Sequence, residues 1–117
     1  MSSLLNSLTT ELRRGTLTLA VLSQLRKPQY GYSLVQLLEQ AGIHIDQSTL
    51  YPLLRRLEKQ ELVTSSWDTS ESRPRKYYVL SDFGVETFLQ LKKEWMENSN
   101  QLLALLKGDE EDEDGFN

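Results

Sequence analysis

Cysteine is absent from the 117 residues, and histidine occurs once, at His44. A disulfide framework, a thiolate metal site and a cysteine nucleophile are therefore excluded, and nothing demands an oxidising compartment. The chain also has no glycine-rich phosphate loop and no His or carboxylate cluster at metal-ligand spacing. It lacks the parts of a nucleophilic, acid–base or metal centre, so no enzymatic activity, metal or cofactor is expected. Long apolar runs are missing as well. The longest, Leu102 to Leu106, falls far short of the roughly 20 residues that cross a bilayer, and no basic segment leads into an apolar one at the N-terminus. No membrane partner is expected, and the cytoplasm is the expected location. What remains, 38% hydrophobic and 26% charged residues, suits one compact domain.

The net charge of −4 argues at first against a polyanionic partner, but the acids are unevenly spread. Six of the 17 form the run Asp109 to Asp114, so residues 1–108 carry 13 Lys+Arg against 11 Asp+Glu, a net of +2. Like-charge repulsion and scarce apolar side chains predict a disordered acidic tail over 108–117.

Helical spacing dominates the rest. Leu4, Leu5, Leu8 and Leu12 continue through Leu19, Leu22 and Leu25 until Pro28 ends helix one. Gly15 and the β-branched Thr16 and Thr18 allow a break between an N-terminal arm and the main helix. Leu34, Leu37, Leu38 and Ala41 form a second stripe that stops at Gly42, a residue suited to a left-handed cap. Leu50, Leu53, Leu54 and Leu57 repeat that stripe in helix three, expected from about Ser48 to Glu61 with Asp46 or Ser48 as its cap. Pro52 is tolerated only near the start of that helix.

The other face of helix three carries Ser48, Pro52, Arg55, Arg56 and Lys59, with Gln47, Thr49 and Tyr51 crowded at its tip. Short hydrogen-bonding side chains at a helix tip and cations along its length suit a helix that enters a DNA major groove end-on. Arg55 and Arg56 taken alone also fit an ordinary solvated face. Beyond Leu62 the period changes from 3.6 to 2. Val63 to Trp67 and Lys76 to Leu80 read as two strands around a polar turn, Asp68 to Arg75. Arg73, Arg75 and Lys76 give this hairpin a basic shoulder able to reach a phosphate backbone or a minor groove. Alternation sends one of Tyr77 and Tyr78 inward, and Tyr30 and Tyr32 read mainly as packing residues.

Tyr30-Gly31-Tyr32, the segment Ser48-Thr49-Leu50-Tyr51-Pro52-Leu53-Leu54-Arg55-Arg56-Leu57-Glu58-Lys59, and Arg73-Pro74-Arg75-Lys76-Tyr77-Tyr78 with Leu80, Ser81 and Gly84 resemble the PadR family of bacterial winged-helix transcriptional regulators. The likeness covers about residues 12–106 and is greatest to the short members with one C-terminal helix, a group that includes multidrug-responsive repressors. The resemblance implies a homodimer on a pseudo-palindromic operator. It places Gln47, Ser48, Thr49, Tyr51 and Arg55 on the recognition helix and Arg73, Arg75 and Lys76 on the wing.

From Ser81, a cap with Asp82 in the first turn, no proline interrupts the chain to Gly108. Phe88, Leu91, Trp95, Asn98, Leu102 and Leu105 alternate at heptad spacing on a helix of about 26 residues, roughly 39 Å long. Such a seam outruns its own domain and needs a partner helix. A second copy of the chain supplies one, with the arm around Leu5 and Leu8 helping to cover it, while Asn98 suits a register-setting role. In the multidrug-responsive relatives the tryptophan matching Trp95 stacks flat aromatic compounds across the dimer axis. By that resemblance Trp95, Met96 and Ser99 are candidates for an aromatic effector site, and filling the dimer core is the alternative for Trp95 and Met96. Ser99 stands near an acidic residue of those relatives, which argues against cationic compounds.

The expected fold is α+β and mostly α, a winged helix-turn-helix with a two-stranded wing. Its parts are a DNA-binding domain over 1–80 with an N-terminal arm, a dimerisation helix over 81–107 and the tail. The expected function is sequence-specific binding of double-stranded operator DNA by a transcriptional regulator that represses its own or adjacent genes and is released by a small aromatic ligand. The alternative is a winged-helix protein-interaction module without DNA binding.

Overall fold

The computed structural model describes the backbone of residues 2–116 and the side chains of residues 2–108. Four helices and three short strands follow one another as α1 (Ser2–Ser23), β1 (Gln29–Tyr30), α2 (Gly31–Gln40), α3 (Gln47–Lys59), β2 (Val63–Asp68), β3 (Arg75–Leu80) and α4 (Asp82–Phe116). The strands form one antiparallel sheet in the order β1-β3-β2, with Val63 opposite Leu80 at its base and Asp68 opposite Arg75 at its tip.

The leucine stripes converge as their spacing requires. Val21, Leu22 and Leu25 of α1 and its exit, Leu34 and Leu38 of α2, and Leu50, Leu53, Leu54 and Leu57 of α3 make one buried cluster, closed by Leu62, Val63, Tyr78, Leu80 and Phe88. Tyr78 is the inward tyrosine of its pair, whereas Tyr77 is half-buried.

Both helix exits that frame α3 use the same device. At the end of α2, the Ile43 N–H donates to the Leu38 carbonyl and the Gly42 N–H to the Glu39 carbonyl, with Gly42 in the left-handed region at φ 85°. At the end of α3, the Leu62 N–H donates to the Leu57 carbonyl and the Glu61 N–H to the Glu58 carbonyl, with Glu61 at φ 62°. These are paired 6→1 and 5→2 bonds that stop a helix sharply. The first aims the chain into α3 and the second aims it into the hairpin.

Three boundaries differ from the sequence expectation. First, α1 is unbroken through Gly15. The Thr10 and Thr16 hydroxyls donate to the Asn6 and Arg13 carbonyls at 2.8 and 2.9 Å, so they are satisfied within the helix rather than drawing the backbone out of it. Second, α3 begins one residue earlier than expected, capped by Asp46, so Pro52 falls in its second turn. The proline removes one bond to the Ser48 carbonyl, and Ser48 is exposed, where water can replace it. Third, the backbone of α4 continues to Phe116, past Lys107, where the sequence reading ends the helix. Gly108 costs a helix only about 1 kcal/mol and does not end it. The acidic side chains of the expected tail lie outside the described residues.

The start of α4 is locked to the end of α3. The Ser81 hydroxyl donates to the Glu61 carbonyl at 2.6 Å and accepts from the Gly84 N–H at 2.9 Å, making Ser81 the cap that its position suggested. A Cβ at Gly84 would overlap the Leu62 carbonyl, so only glycine permits this approach.

Candidate nucleic-acid interface

The tip of α3 is built by its cap. Asp46 accepts hydrogen bonds from the Ser48 hydroxyl at 2.7 Å and the Thr49 N–H at 3.0 Å, and these donors hold its carboxyl below the usual range. Gln47, Ser48 and Thr49 therefore make up the first turn, all exposed. Leu50, Leu53, Leu54 and Leu57 are buried on the opposite side. Tyr51 is half-buried, its ring lying over Gly31 where a Cβ would stand. The first turn of α2 and α3 are thus packed edge to edge.

The two arginines of α3 diverge. Arg55 lies towards Tyr78 of the wing, whose phenol is raised by burial foremost, a rise only partly offset by the Arg55 charge. Arg56 turns the other way, its guanidinium 3.5 Å from the Thr18 hydroxyl of α1. The sequence reading placed both on one outer face. Successive helical positions are about 100° apart, and here that rotation separates them across α3.

The wing is braced rather than loose. Tyr30 and Tyr32 stack with centroids 5.9 Å apart and planes 7° from parallel, and Tyr77 meets Tyr30 edge-on at 6.3 Å. The Arg75 guanidinium lies 5.5 and 5.8 Å from the Tyr30 and Tyr32 rings, donates to the Tyr32 hydroxyl at 3.0 Å and pairs with Glu71 at 2.7 Å. The Tyr30 hydroxyl donates to Asp68, which also accepts from the Ser70 hydroxyl and N–H at 2.7 and 3.0 Å. Those donors, Ser70 foremost, then Tyr30, lower the Asp68 carboxyl to about 2, and the same bond to Asp68 raises the Tyr30 phenol. Lys76 reaches inward to Glu58 at 3.6 Å and over the Trp67 and Tyr78 rings.

Tyr30, Gly31, Tyr32, Tyr51, Arg73, Arg75 and Lys76 line one groove between the wing and the two packed helices. The structure thus brings the expected wing cations beside Tyr51, and it leaves Arg56 on the far side. Sequence reading missed β1 and the roles of Asp68 and Glu71. The Asp68-Thr69-Ser70 spacing of an Asx turn was the available signal; the pairing of Glu71 with Arg75 had none beyond charge.

Along α4, Phe88 does not join the exposed seam to which its spacing assigned it. It is buried in its own chain's core, because α1 packs against this part of α4. Leu91, Trp95, Leu102 and Leu105 are exposed at 38, 45, 53 and 70%, as is Asn98. Leu5 and Leu8 of the arm are exposed too. Trp95 and Met96 line an apolar groove with Leu19, Ala20 and Phe88, and Arg26 and Lys92 also line it. Ser99, half-buried, is not in that lining. Among the described residues, no group of His, Cys, Asp and Glu is arranged to hold a metal ion, and no helix is long and apolar enough to cross a membrane.

A helix-turn-helix whose second helix stands exposed beside a braced basic hairpin is the build of a winged-helix transcription regulator. Residues 18–90 match the transcriptional regulator PadR-like family, and the chain belongs to that family. It is similar to the PadR family transcriptional regulator from Eggerthella lenta DSM 2243, with 47% identity, a TM-score of 0.81, and coverage of 90% of this chain and 94% of that one. The PadR-like regulator of Bacillus cereus superposes with a TM-score of 0.72 at 28% identity over 82% of this chain and 96% of its own. Uncharacterised protein X of Lysinibacillus sphaericus is 32% identical over 88 residues, 72% of this chain and 81% of that protein. The chain is accordingly a PadR-family transcriptional regulator, a class that acts by binding DNA, and not an enzyme.

Proposed function

We propose that the protein is a homodimeric repressor of its own or adjacent genes, binding a pseudo-palindromic operator and leaving it when a small aromatic ligand enters the dimer interface. The observation that carries the operator reading is the exposed first turn of α3, Gln47, Ser48 and Thr49, standing beside Arg55 and the braced wing. Short polar side chains at a helix tip read base edges, while Arg55, Arg73 and Arg75 take phosphates or the adjoining minor groove. Tyr51, packed against Gly31, fixes the pitch of the helix more than it reads sequence. Lys76 and Arg56 are assigned supporting phosphate contacts.

The exposure of Leu91, Trp95, Asn98, Leu102 and Leu105, with Leu5 and Leu8 of the arm, supports two-fold pairing through this seam. Trp95 and Met96, exposed at 45 and 50% and lining one apolar groove, support an aromatic effector there. The expected location is the cytoplasm. Footprinting on the DNA upstream of its own gene tests the operator reading. Protection of two half-sites about one helical turn apart is expected. Absence of any protected sequence at physiological salt would favour an interaction module that has lost DNA.

A further inference from the structure

The cations on the two sides of α3 are unequally neutralised. On the wing side, Arg75 is paired with Glu71 and Lys76 with Glu58, while Arg55 and Arg73 form no ion pair among the described residues. On the opposite side, Arg13 and Arg14 of α1 line a groove with Thr18, His44, Thr49 and Arg56, and among the described residues no carboxylate lines it or forms an ion pair with these three arginines. All three are exposed. Arg56 reaches across from α3 towards the Thr18 hydroxyl of α1, so both helices contribute to the groove and its lining includes three guanidinium groups.

We propose that this groove between α1 and α3 is a second phosphate-binding strip, which takes phosphodiester oxygens of the DNA strand on the side of the recognition helix away from the wing. The proposal rests on the operator-binding reading above and assigns Arg13 and Arg14 a role that their sequence positions did not suggest. A helix seated in a major groove has a phosphate backbone on each side. The wing and the start of α2 face one backbone, and the α1–α3 groove faces the other. Guanidinium forks suit paired phosphate oxygens, and the Thr18 and Thr49 hydroxyls add neutral donors. Phosphate binding here carries no sequence information. It sets register and raises affinity for cognate and unrelated DNA alike.

The test uses the full chain and the double variant Arg13→Gln/Arg14→Gln, whose exposed side chains make no polar contact among the described residues, so that its circular dichroism should match the parent. Anisotropy titrations over a salt series use a labelled duplex from upstream of its own gene and a scrambled duplex of equal length. Affinity for both should fall several-fold by a common factor, and the slope of log affinity against log salt should flatten by about two per protomer. Unchanged slope and affinity would overturn the proposal. A parent protein without salt-dependent binding to either duplex would instead overturn the operator reading on which it rests. The chain's own acidic run, Asp109 to Asp114, is the rival occupant. If removing residues 109–117 strengthens binding by the parent but not by the double variant, tail and DNA compete for these arginines, which supports the strip.

Discussion

Glu61 holds a left-handed backbone, φ 62°, at a position where the structurally equivalent exit of α2 has Gly42 at φ 85°. An L-residue pays roughly 1–2 kcal/mol for that conformation, and glycine avoids it. The groups that the turn uses are backbone ones, since the Glu61 carbonyl accepts from Ser81 and its N–H donates to Glu58. Glu61→Gly therefore keeps every bond and should raise stability by about 0.5–1 kcal/mol in urea unfolding, allowing for glycine's greater freedom in the unfolded chain. The reverse holds at Gly84, where a methyl group meets the Leu62 carbonyl rather than a side chain able to swing away. Gly84→Ala should lower stability by about 2–3 kcal/mol; a midpoint equal to the parent's would mean that α4 can lift off the α3 exit freely.

At the scale of elements, legibility followed the range of the forces involved. The 3, 1, 3 leucine stripes of α2 and α3 could be read directly, because burial of one helix face imposes its own period. By contrast β1 is only Gln29–Tyr30, and its extended form comes from pairing with Tyr77 and Tyr78 nearly fifty residues away, a cause that no local window contains. The wing shows the same division. Its strands were legible, but its rigidity arises from Asp68 bridging Ser70 and Tyr30, a contact across 38 positions. Because the folded Asp68 carboxyl sits near 2 against an ordinary 3.8, its brace is fully present above pH 3.8 and is lost as pH falls through 2. Carbon-detected NMR should place the Asp68 midpoint near 2. In Asp68→Ala, amide exchange at Ser70 should accelerate while the amides of α3 keep their protection. A midpoint close to 3.8 would mean that the bridge does not persist in solution.

For the whole molecule the decisive fact is where burial stops. The core ends at Phe88, 5% exposed, whereas Leu102, Leu103, Leu105 and Leu106 lie 50–70% open and Leu4, Leu5, Leu8 and Leu12 of the arm are 51–76% open. A helix of 35 residues is about 52 Å long, so most of α4 projects from the domain that starts it. Monomeric soluble proteins rarely leave so many neighbouring apolar side chains uncovered, and each leucine fully buried in a partner contributes roughly 1.5–3 kcal/mol. In the dimer proposed above, two-fold pairing of α4 and the arms would cover both surfaces in one step and set the two copies of α3 at a fixed separation. Leu102→Glu/Leu105→Glu places two carboxylates per chain in that seam, far from α3 and the wing. Sedimentation velocity should then report a monomer with the parent's circular dichroism per residue. Operator affinity should drop by two orders of magnitude or more, since the second half-site no longer binds at the high effective concentration that linkage supplies. Binding to a single half-site should change little, which separates loss of pairing from damage to the interface. A variant that still sediments as a dimer would show that the exposed stripe of α4 is not where two chains meet.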